Sequence, residues 1–286
     1  MAGLGMRDIK RRIKSVNSTK QITKAMELVS SAKLRKAKES LEKTKFYFET
    51  MGKTIQDIVQ NTKGIKHEYL TSREIKKTAY IVITADRGLA GGYNSNIIKT
   101  AVNHMADKPR TSIIAVGTKG RDFFRKRHYD LDGEFIHVSE CPSFTVAQAI
   151  GRLSRDLYKQ ELVDEVYLVY TEFVSTINQT QRLMRLLPLE VSTEGTTAGK
   201  RTNITYEPSP EVVLDYLVPK YIDSMIYGAL VESATSEQAA RRVAMENATD
   251  NAEEMIDTLK LQYNRARQAS ITQEIAEIVG GAEALK

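Results

Sequence analysis

From Pro219 to Ala284 the chain reads PKYIDSMIYGALVESATSEQAARRVAMENATDNAEEMIDTLKLQYNRARQASITQEIAEIVGGAEA. No further proline occurs there, and the first interior glycine, Gly228, is followed by none until Gly280. Apolar and small residues recur at steps of three and four, which is the spacing of one face of an α-helix. They are Ile222, Met225, Ile226, Ala229, Leu230, Ala240, Val243, Ala244, Ala248, Ala252, Met255, Leu259, Tyr263, Ala266, Ile271, Ile275 and Ile278. The pattern predicts one helix of roughly 95–100 Å at 1.5 Å per residue.

A helix of that length exceeds the width of an ordinary globular domain. Much of it must therefore lie against another helix or inside a different molecule. The apolar stripe is narrow and rich in alanine, which favours close contact with one partner over burial on all sides. We interpret the stretch as one half of a coiled coil.

The first 60 residues predict a second long helix, because no proline occurs before Pro109. We expect this helix to end at Gly64. Its stripe keeps a helical step through Ile9, Ile13, Val16, Ile22, Met26, Val29, Ala32 and Ala37, and continues more loosely through Leu41, Phe48, Ile55 and Ile58. Residues 1–45 carry thirteen Lys and Arg against four acids, whereas residues 208–286 carry seven against thirteen. Opposite charge favours pairing of the two helices. Exposed ion pairs contribute only ~0–1 kcal/mol each, so burial of the stripes must supply most of the adhesion.

The segment between the helices has a different character. Continuous β-branched runs predict buried strands at Thr78–Ala85, Thr111–Val116 and Glu165–Val174, and the last is followed by an antiparallel strand from Thr180 to Leu189. Helices are predicted from Asn94 to Met105, from Lys119 to Arg127 and from Phe144 or Thr145 to Lys159. This alternation predicts a small, mainly parallel, doubly wound sheet. A polar loop from Glu194 to Asn203 and a short helix from Ser209 to Leu217 then precede the long helix, which Pro219 opens.

We therefore expect three segments. Residues 1–62 form the N-terminal helix of the coiled coil, residues 75–206 form a central Rossmann-like α/β domain, and residues 208–286 form the C-terminal helix. Since each helix reaches the α/β domain at one end, the two must run in opposite directions to pair. The predicted fold is an antiparallel coiled coil on an α/β foot.

Composition limits where such a protein works. The single cysteine, Cys141, excludes an internal disulfide and fits a reducing compartment. No apolar run approaches the ~18 residues of a membrane span, and the N-terminal residues lack the apolar core of a signal peptide. We expect a protein that stays inside the cell and touches a membrane only through another molecule.

A glycine-rich turn, Asp86 to Asn94, follows the first predicted strand where a phosphate-binding loop would lie. Its spacing departs from the Gly-x-Gly-x-x-Gly fingerprint, and the phosphate-loop pattern with its Lys-Ser or Lys-Thr ending is missing. A tight turn that uses the backbone freedom of Gly88, Gly91 and Gly92 is the simpler interpretation.

The remaining side chains predict no catalytic centre, cofactor or metal. The four histidines are far apart in sequence and lack ligand spacing, and no nucleophile motif occurs. The basic N-terminal helix could follow a nucleic-acid backbone, but aromatic residues are not interleaved with its cations. We therefore expect no nucleic-acid partner.

Several stretches together resemble the gamma subunit of F-type ATP synthases. They cover both ends and the middle of the chain, in the order of that family: Met6–Ile13, Thr19–Val29, Asp86–Asn94, Ser236–Arg241, Tyr263–Glu274 and Ile271–Ala284. The chain lacks the paired-cysteine insertion of chloroplast relatives, so the resemblance implies a bacterial type without thiol control.

The resemblance implies a rotary shaft that is not itself an enzyme. In this family the coiled coil stands inside a ring of alpha and beta subunits, which hold the nucleotide sites. The α/β foot lies with the epsilon subunit on the membrane c-ring, at the cytoplasmic face of the cell membrane. Proton flow turns the c-ring, foot and shaft together, and the asymmetric shaft drives the beta subunits through their conformations in sequence.

The resemblance also implies contact residues. Met26 and Arg241 match the family's coupling region, and Gln268, Thr272 and Glu274 match its contact with the catch loop of the ring. Lys10, Arg11 and Lys24 are expected to face acidic segments of the beta subunits.

Two other function classes stay open from the residues. One is an enzyme or nucleotide-binding protein built on the α/β domain. The other is a free-standing coiled-coil scaffold or a basic nucleic-acid-binding protein that uses the N-terminal helix.

Overall fold

The computed structural model of the chain describes residues 2–61, 67–105, 107–189 and 209–283. The helices are α1 (Ala2–Asn61), α2 (Tyr93–His104), α3 (Thr118–Lys126), α4 (Phe144–Lys159) and α5 (Pro210–Glu283), with a 3-10 turn at Lys108–Arg110. The strands are β1 (Thr78–Ile83), β2 (Thr111–Val116), β3 (Asp130–Phe135), β4 (Glu165–Phe173) and β5 (Gln179–Leu187).

The chain divides into two compact units. Met1–Ser31 and Arg241–Lys286 form the first, which we call the helix-pair unit. Ala32–Ala240 forms the second, which we call the sheet unit. Each long helix therefore contributes residues to both units.

The sheet unit is built on five strands in the order β3-β2-β1-β4-β5. The first four run parallel, and β5 pairs antiparallel with β4. This confirms the predicted mainly parallel sheet. The strand β3 was missed, because it lies at a sheet edge and reads DLDGEF, without the apolar run that marks a buried strand. Gly133 of β3 lies against α4, where a Cβ would come within 2.5 Å of Leu153.

Both faces of the sheet are covered by helices. Strands β1 and β2 are buried at all six positions, as the continuous apolar runs predicted. Helices α4 and α5 cover one face, and α2 and α3 cover the other. The first face buries Ile81, Ile114, Leu168, Ile150, Leu157, Leu214, Val218 and Ile222, and the second buries Val82, Ile113, Val169, Ile97, Ala101 and Phe124.

The start of α5 corrects the sequence analysis. The helix predicted for Ser209–Leu217 is not separate, because α5 is continuous and Pro219 lies inside it. A proline removes one backbone hydrogen bond from a helix interior. Leu214, Val218 and Ile222 flank it and are completely buried in the core. Packing of these side chains against the sheet therefore outweighs the local cost of the proline.

The helix-pair unit has a seam that differs from the predicted stripe. On each helix, a set of less exposed positions recurs at alternating steps of three and four, the repeat of a coiled coil. On α1 they are Met6, Ile9, Ile13, Val16, Lys20, Thr23, Glu27 and Ser30, and on α5 they are Met245, Thr249, Ala252, Ile256, Leu259, Tyr263, Ala266 and Ser270. The antiparallel pairing of the two terminal helices is confirmed.

Ile22, Val29 and Met255 were assigned wrongly to the buried stripe. Their side chains are 61%, 55% and 54% exposed. The cause is that several seam positions of α1 are polar, among them Lys20 and Thr23. A stripe defined by apolar residues alone therefore includes positions on the neighbouring exposed face of the helix.

The last part of the α5 stripe is also exposed. Ile271, Ile275 and Ile278 lie on a segment, residues 271–282, in which every position is exposed. The hydroxyl contact between Thr23 and Thr249 sets the register of the pair. That register brings the first residues of α1 level with Ser270, so residues 271–282 extend past the paired helices.

Three sequence-based expectations lie outside the described residues. They are the polar loop over 194–203, the end of the first helix at Gly64 and residues 284–286 of the C-terminal tail.

Candidate functional site

The seam of the helix-pair unit contains a polar layer. The hydroxyl oxygens of Thr23 and Thr249 are buried and lie 2.8 Å apart. Thr23 is also within hydrogen-bond distance of the Lys20 carbonyl, at 3.0 Å, and Thr249 of the Met245 carbonyl, at 2.8 Å. One hydroxyl therefore donates to the other across the seam. Beside this layer, Lys20 of α1 forms an ion pair with Glu253 of α5.

This polar layer gives a testable prediction. A Thr249→Val change leaves the buried Thr23 hydroxyl without its partner across the seam, and should destabilise the helix pair by about 1–2 kcal/mol. The Thr23→Val, Thr249→Val double change should cost less than the sum of the two single changes, because valine fills the space of threonine and no polar group is left unpaired. Urea unfolding followed by circular dichroism at 222 nm measures the cycle. Additive single effects would show that the hydroxyl contact contributes nothing.

The outer surface of the same unit is both apolar and basic. Large apolar side chains point to solvent at Ile22, Leu28, Val29, Met255, Leu261, Ile271, Ile275, Ile278 and Val279. A groove of about 980 Å³ has a lining with more cations than acids: Arg7, Lys10, Arg11, Lys14, Lys20 and Lys260 against Glu253 and Asp257. Exposed apolar side chains in this number, next to an excess of positive charge, are typical of a surface that binds other proteins.

The predicted contact residues of this unit have different surroundings. Lys10 and Arg11 line the basic groove, and Arg11 pairs with Asp8 at 2.7 Å. Lys24 pairs with Glu27 of its own helix at 3.1 Å. The Arg11–Asp8 pair is exposed, so little free energy keeps Arg11 from a partner, whereas the Glu27 side chain that holds Lys24 is only 12% exposed.

Met26 and Arg241 are less accessible. Met26 is half-buried, and Arg241 is only 6% exposed. The Thr23–Thr249 register places Arg241 opposite Ser31, which is roughly 7 Å along the helix axis from Met26. The two residues are therefore not at the same level of the pair.

Gln268, Thr272 and Glu274 are exposed near the end of α5. The Thr272 hydroxyl donates to the Gln268 carbonyl at 2.9 Å, so these two residues share one face. Glu274 accepts from the hydroxyl of Ser270 at 3.4 Å and lies on another side of the helix.

The glycine-rich turn in the sheet unit is organised by Asp86, which the sequence analysis did not single out. One carboxylate oxygen accepts from the backbone N–H and hydroxyl of Thr118, at 3.0 and 2.9 Å, and from the His137 N–H at 2.9 Å. The other accepts from the N–H and hydroxyl of Ser139, at 3.0 and 2.9 Å. Burial alone would raise the pKa of Asp86, but these hydrogen bonds outweigh it and lower the pKa to about 2.

The first residues of α3 donate to the same region. The Gly120 N–H donates to the Thr84 hydroxyl at 2.8 Å, and the Lys119 N–H donates to the Ala85 carbonyl at 3.1 Å. A phosphate bound at this end of the sheet would need free N–H groups at a helix N-terminus. Side chains and carbonyls of the chain itself already hold these donors. The turn therefore closes the carboxyl ends of the strands and leaves no phosphate cradle there.

The predicted turn glycines lie around this closure. Gly91 has φ of +55°, in the left-handed region that glycine favours. Gly92 caps the start of α2, and a Cβ at Gly88 would approach the Lys119 side chain at 3.9 Å. In addition, Leu89 has φ of +61° although it is not a glycine, and its side chain is exposed.

Helix α1 is tied to the sheet unit by Glu140, which was also missed. Its carboxylate contacts the Lys33 ammonium at 2.9 Å and the Arg87 guanidinium at 3.5 Å. Lys38, one turn further along α1, lies over the ring of Phe173 at 5.1 Å. These pairs join residues far apart in the chain, and local sequence patterns carry no signal for them.

Within the described ranges, no helix is long and apolar enough to cross a membrane. No group of three His, Cys, Asp or Glu side chains in those ranges is placed to hold a metal ion.

Comparison with known proteins identifies the family. The chain is 71% identical over 288 residues to the ATP synthase gamma chain of Alkaliphilus metalliredigens, covering 99% of this chain and 100% of that protein. A family model described as ATP synthase matches residues 5–285. The chain belongs to the ATP synthase gamma-chain family. As a gamma chain, it is the central rotary shaft of an F-type ATP synthase, which is the role that the resemblance implied.

Further relatives agree with this assignment. The sodium ion specific ATP synthase gamma chain of Acetobacterium woodii is 52% identical and covers 98% of both chains. Among solved structures, the central stalk and c-ring of the Tetrahymena thermophila mitochondrial ATP synthase matches with a TM-score of 0.61 at 27% identity, over 79% of this chain and 99% of that one. A Euglena gracilis mitochondrial ATP synthase matches 99% of this gamma chain with a TM-score of 0.71 at 20% identity, which supports the fold.

Proposed function

We propose that this gamma chain acts mechanically and makes or breaks no covalent bond. The catalytic nucleotide sites would then lie on beta subunits of the complex. The observation that carries the proposal is the helix pair. The buried hydroxyls of its seam, Thr23 and Thr249, hydrogen-bond to each other, while its outer surface is apolar and basic. Such a surface suits contact with other subunits. The closed strand ends at Asp86 argue against the rival view that the sheet unit is a nucleotide-binding enzyme.

The outer surface of the helix pair is not the same on all sides. Apolar residues such as Ile22 and Val29 occupy one part, and the cations of the groove around Lys10 occupy another. A rotating rod with different faces contacts each surrounding subunit differently at each angle. Rotation then favours different conformations of each subunit in turn, because the differential contact energy shifts their populations.

We assign the contacts by region. Residues 1–62 and 208–286 form the shaft, and residues 75–206 form the foot. Met26 and Arg241 serve the coupling region of the shaft, and Gln268, Thr272 and Glu274 contact the catch loop of the ring. Lys10, Arg11 and Lys24 face acidic segments of the beta subunits, and the exposed Arg11–Asp8 pair can exchange for such a partner at little cost.

The foot region would join the chain to the membrane part of the complex. In the Tetrahymena structure the central stalk is seen with the c-ring. We propose that the sheet unit, with an epsilon subunit, rests in the same way on a c-ring driven by proton flow. The chain would then be peripheral to the cytoplasmic face of the cell membrane.

Co-expression with the alpha and beta chains of the same organism tests the proposal. We expect this chain to co-purify with them as a ring complex whose ATPase activity is lost when the chain is omitted. The isolated chain, titrated with ATP, should neither bind nucleotide stoichiometrically nor turn it over. Turnover by the isolated chain would establish the enzyme reading, and failure to co-purify would contradict the shaft role.

A further inference from the structure

A cleft in the sheet unit lies next to the glycine-rich turn, which ends at Asn94. It runs between α2 and α3 on the sheet face opposite α4 and α5, and has a volume of about 560 Å³. Ile98, Val102 and Phe123 provide its apolar surface. The rim consists of Asn94, Ser95, Lys99, Asn103, Lys119 and Arg127.

The charge of the cleft is of one sign. Three cations line it, and the lining contains no aspartate or glutamate. Other cations of the sheet unit have acidic partners, such as Lys77 with Asp130. Within the described ranges, no ion pair involves Lys99, Lys119 or Arg127.

One wall of the cleft is preorganised. Lys119 and Phe123 of α3 and Arg127, which caps the C-terminal end of α3, follow one another at four-residue steps, so they form one ridge. The Arg127 guanidinium stacks on the Phe123 ring at 3.8 Å, and its own carbonyl accepts from the Lys108 ammonium at 2.9 Å. The Arg127 side chain is therefore already ordered, and a ligand that binds it would cause little further loss of side-chain entropy.

The dimensions of the ridge define the occupant. Lys119 and the C-cap residue Arg127 are separated by roughly 12 Å along the axis of α3, or about two helical turns. Between them the surface is apolar. A helical segment that carries two acidic residues about two turns apart, with an apolar residue between them, would match both the cations and the apolar surface. A small anion would leave the apolar surface uncovered.

We propose that this cleft is a docking site for an acidic, amphipathic helical segment of a partner subunit. The proposal rests on the proposed function, since it requires the chain to work inside a multisubunit complex. The apolar residue of the segment packs on Phe123, and its carboxylates pair with Lys119 and Arg127. Binding of this type is selective for register as well as charge.

Site-specific photocrosslinking in the assembled complex tests the proposal. Benzoylphenylalanine is placed at Asn103, on the rim of the cleft, and at Lys126, which is exposed on α3 outside the cleft. We expect the Asn103 position to crosslink to an acidic helical segment of a partner subunit, identified by mass spectrometry. The Lys126 position should not crosslink to that segment.

Charge reversal provides the matched comparison. Lys119→Glu with Arg127→Glu should lower the Asn103 crosslink yield about fivefold or more, whereas Lys126→Glu should leave it unchanged. A crosslink to a segment without acidic residues, or no crosslink in an intact complex, would overturn the docking site. A rise in Tm of the wild-type chain with inorganic phosphate that the double reversal abolishes would also overturn it, in favour of a small-anion site.

The control position separates this inference from the shaft role. If the chain with benzoylphenylalanine at Lys126 does not co-purify with partner subunits, the shaft role itself fails, and the docking site fails with it. If it co-purifies while Asn103 gives no acidic crosslink, only the docking site fails.

Discussion

A Gly117→Ala chain is expected to lose the native sheet unit. Gly117 joins β2 to α3 with φ of +89°, a conformation that residues with a side chain rarely adopt. A Cβ at this position would lie 2.2 Å from the Thr84 carbonyl oxygen and 2.7 Å from its carbonyl carbon. Both atoms belong to the backbone at the end of β1, so neither can rotate away. We expect a loss of about 4 kcal/mol or more, which exceeds most single substitutions.

Near-ultraviolet circular dichroism measures this loss through buried tyrosines of the sheet unit, such as Tyr80 and Tyr158. Gly280→Ala is the matched control, because nothing lies within 4 Å of a Cβ there and the glycine is inside α5. That change should be neutral or stabilise the helix by up to about 1 kcal/mol. A native tyrosine spectrum for Gly117→Ala at ordinary temperature would show that the turn adopts another conformation.

An Asp86→Ala chain should be destabilised by about 3–4 kcal/mol. The change removes the acceptor of the Thr118, His137 and Ser139 N–H groups at once. When N–H donors in a partly buried site lose a charged acceptor, the loss of stability is larger than for an ordinary hydrogen bond. Hydrogen exchange followed by mass spectrometry should show faster exchange in peptides spanning residues 117–139.

Asp130→Ala is the control for charge alone. Asp130 belongs to β3 and pairs with Lys77, but its side chain is 57% exposed. Its removal should change stability by less than about 1 kcal/mol. Equal effects of the two substitutions would mean that the hydrogen bonds of Asp86 contribute no more than a surface ion pair.

The same carboxylate makes stability depend on pH. The hydrogen bonds to Asp86 hold its folded-state pKa at about 2, below the ordinary value of 3.8. A group with a lowered folded-state pKa stabilises the fold above its unfolded-state pKa and loses that contribution as the pH falls through the folded-state value. The wild-type chain should therefore lose more stability between pH 4 and pH 2 than Asp86→Ala, as measured by urea unfolding at each pH. Parallel acid profiles of the two chains would contradict the assignment.

Gly117 and Asp86 together explain how an α/β sheet can serve in a shaft protein. The carboxyl ends of parallel strands are where open sheets of this type bind ligands. Here Gly117 allows β1 and α3 to approach, and Asp86 fills the space with its own carboxylate. The region that binds a nucleotide in related architectures is used in this chain to hold loops together.

Much of the architecture followed from the chain alone. The two long helices, the buried strands β1, β2 and β4 and the antiparallel return of β5 were predicted correctly, because each is marked by a local repeat of apolar residues. The resemblance in the terminal stretches Met6–Ile13 and Ile271–Ala284 also identified the family. Such signals survive in sequence since they concern neighbouring residues within one element.

The packing of the folded chain decided the rest. Which face of α1 forms the seam depends on polar residues such as Thr23 finding a partner on α5, and hydrophobicity does not report such pairs. Helix α5 continues through Pro219 only because the sheet core holds both sides of the proline. The roles of Asp86 and Glu140 depend on atoms that lie dozens of residues away in the chain. Interactions of that kind are set by tertiary contacts, because no local pattern constrains which distant donor a carboxylate will meet.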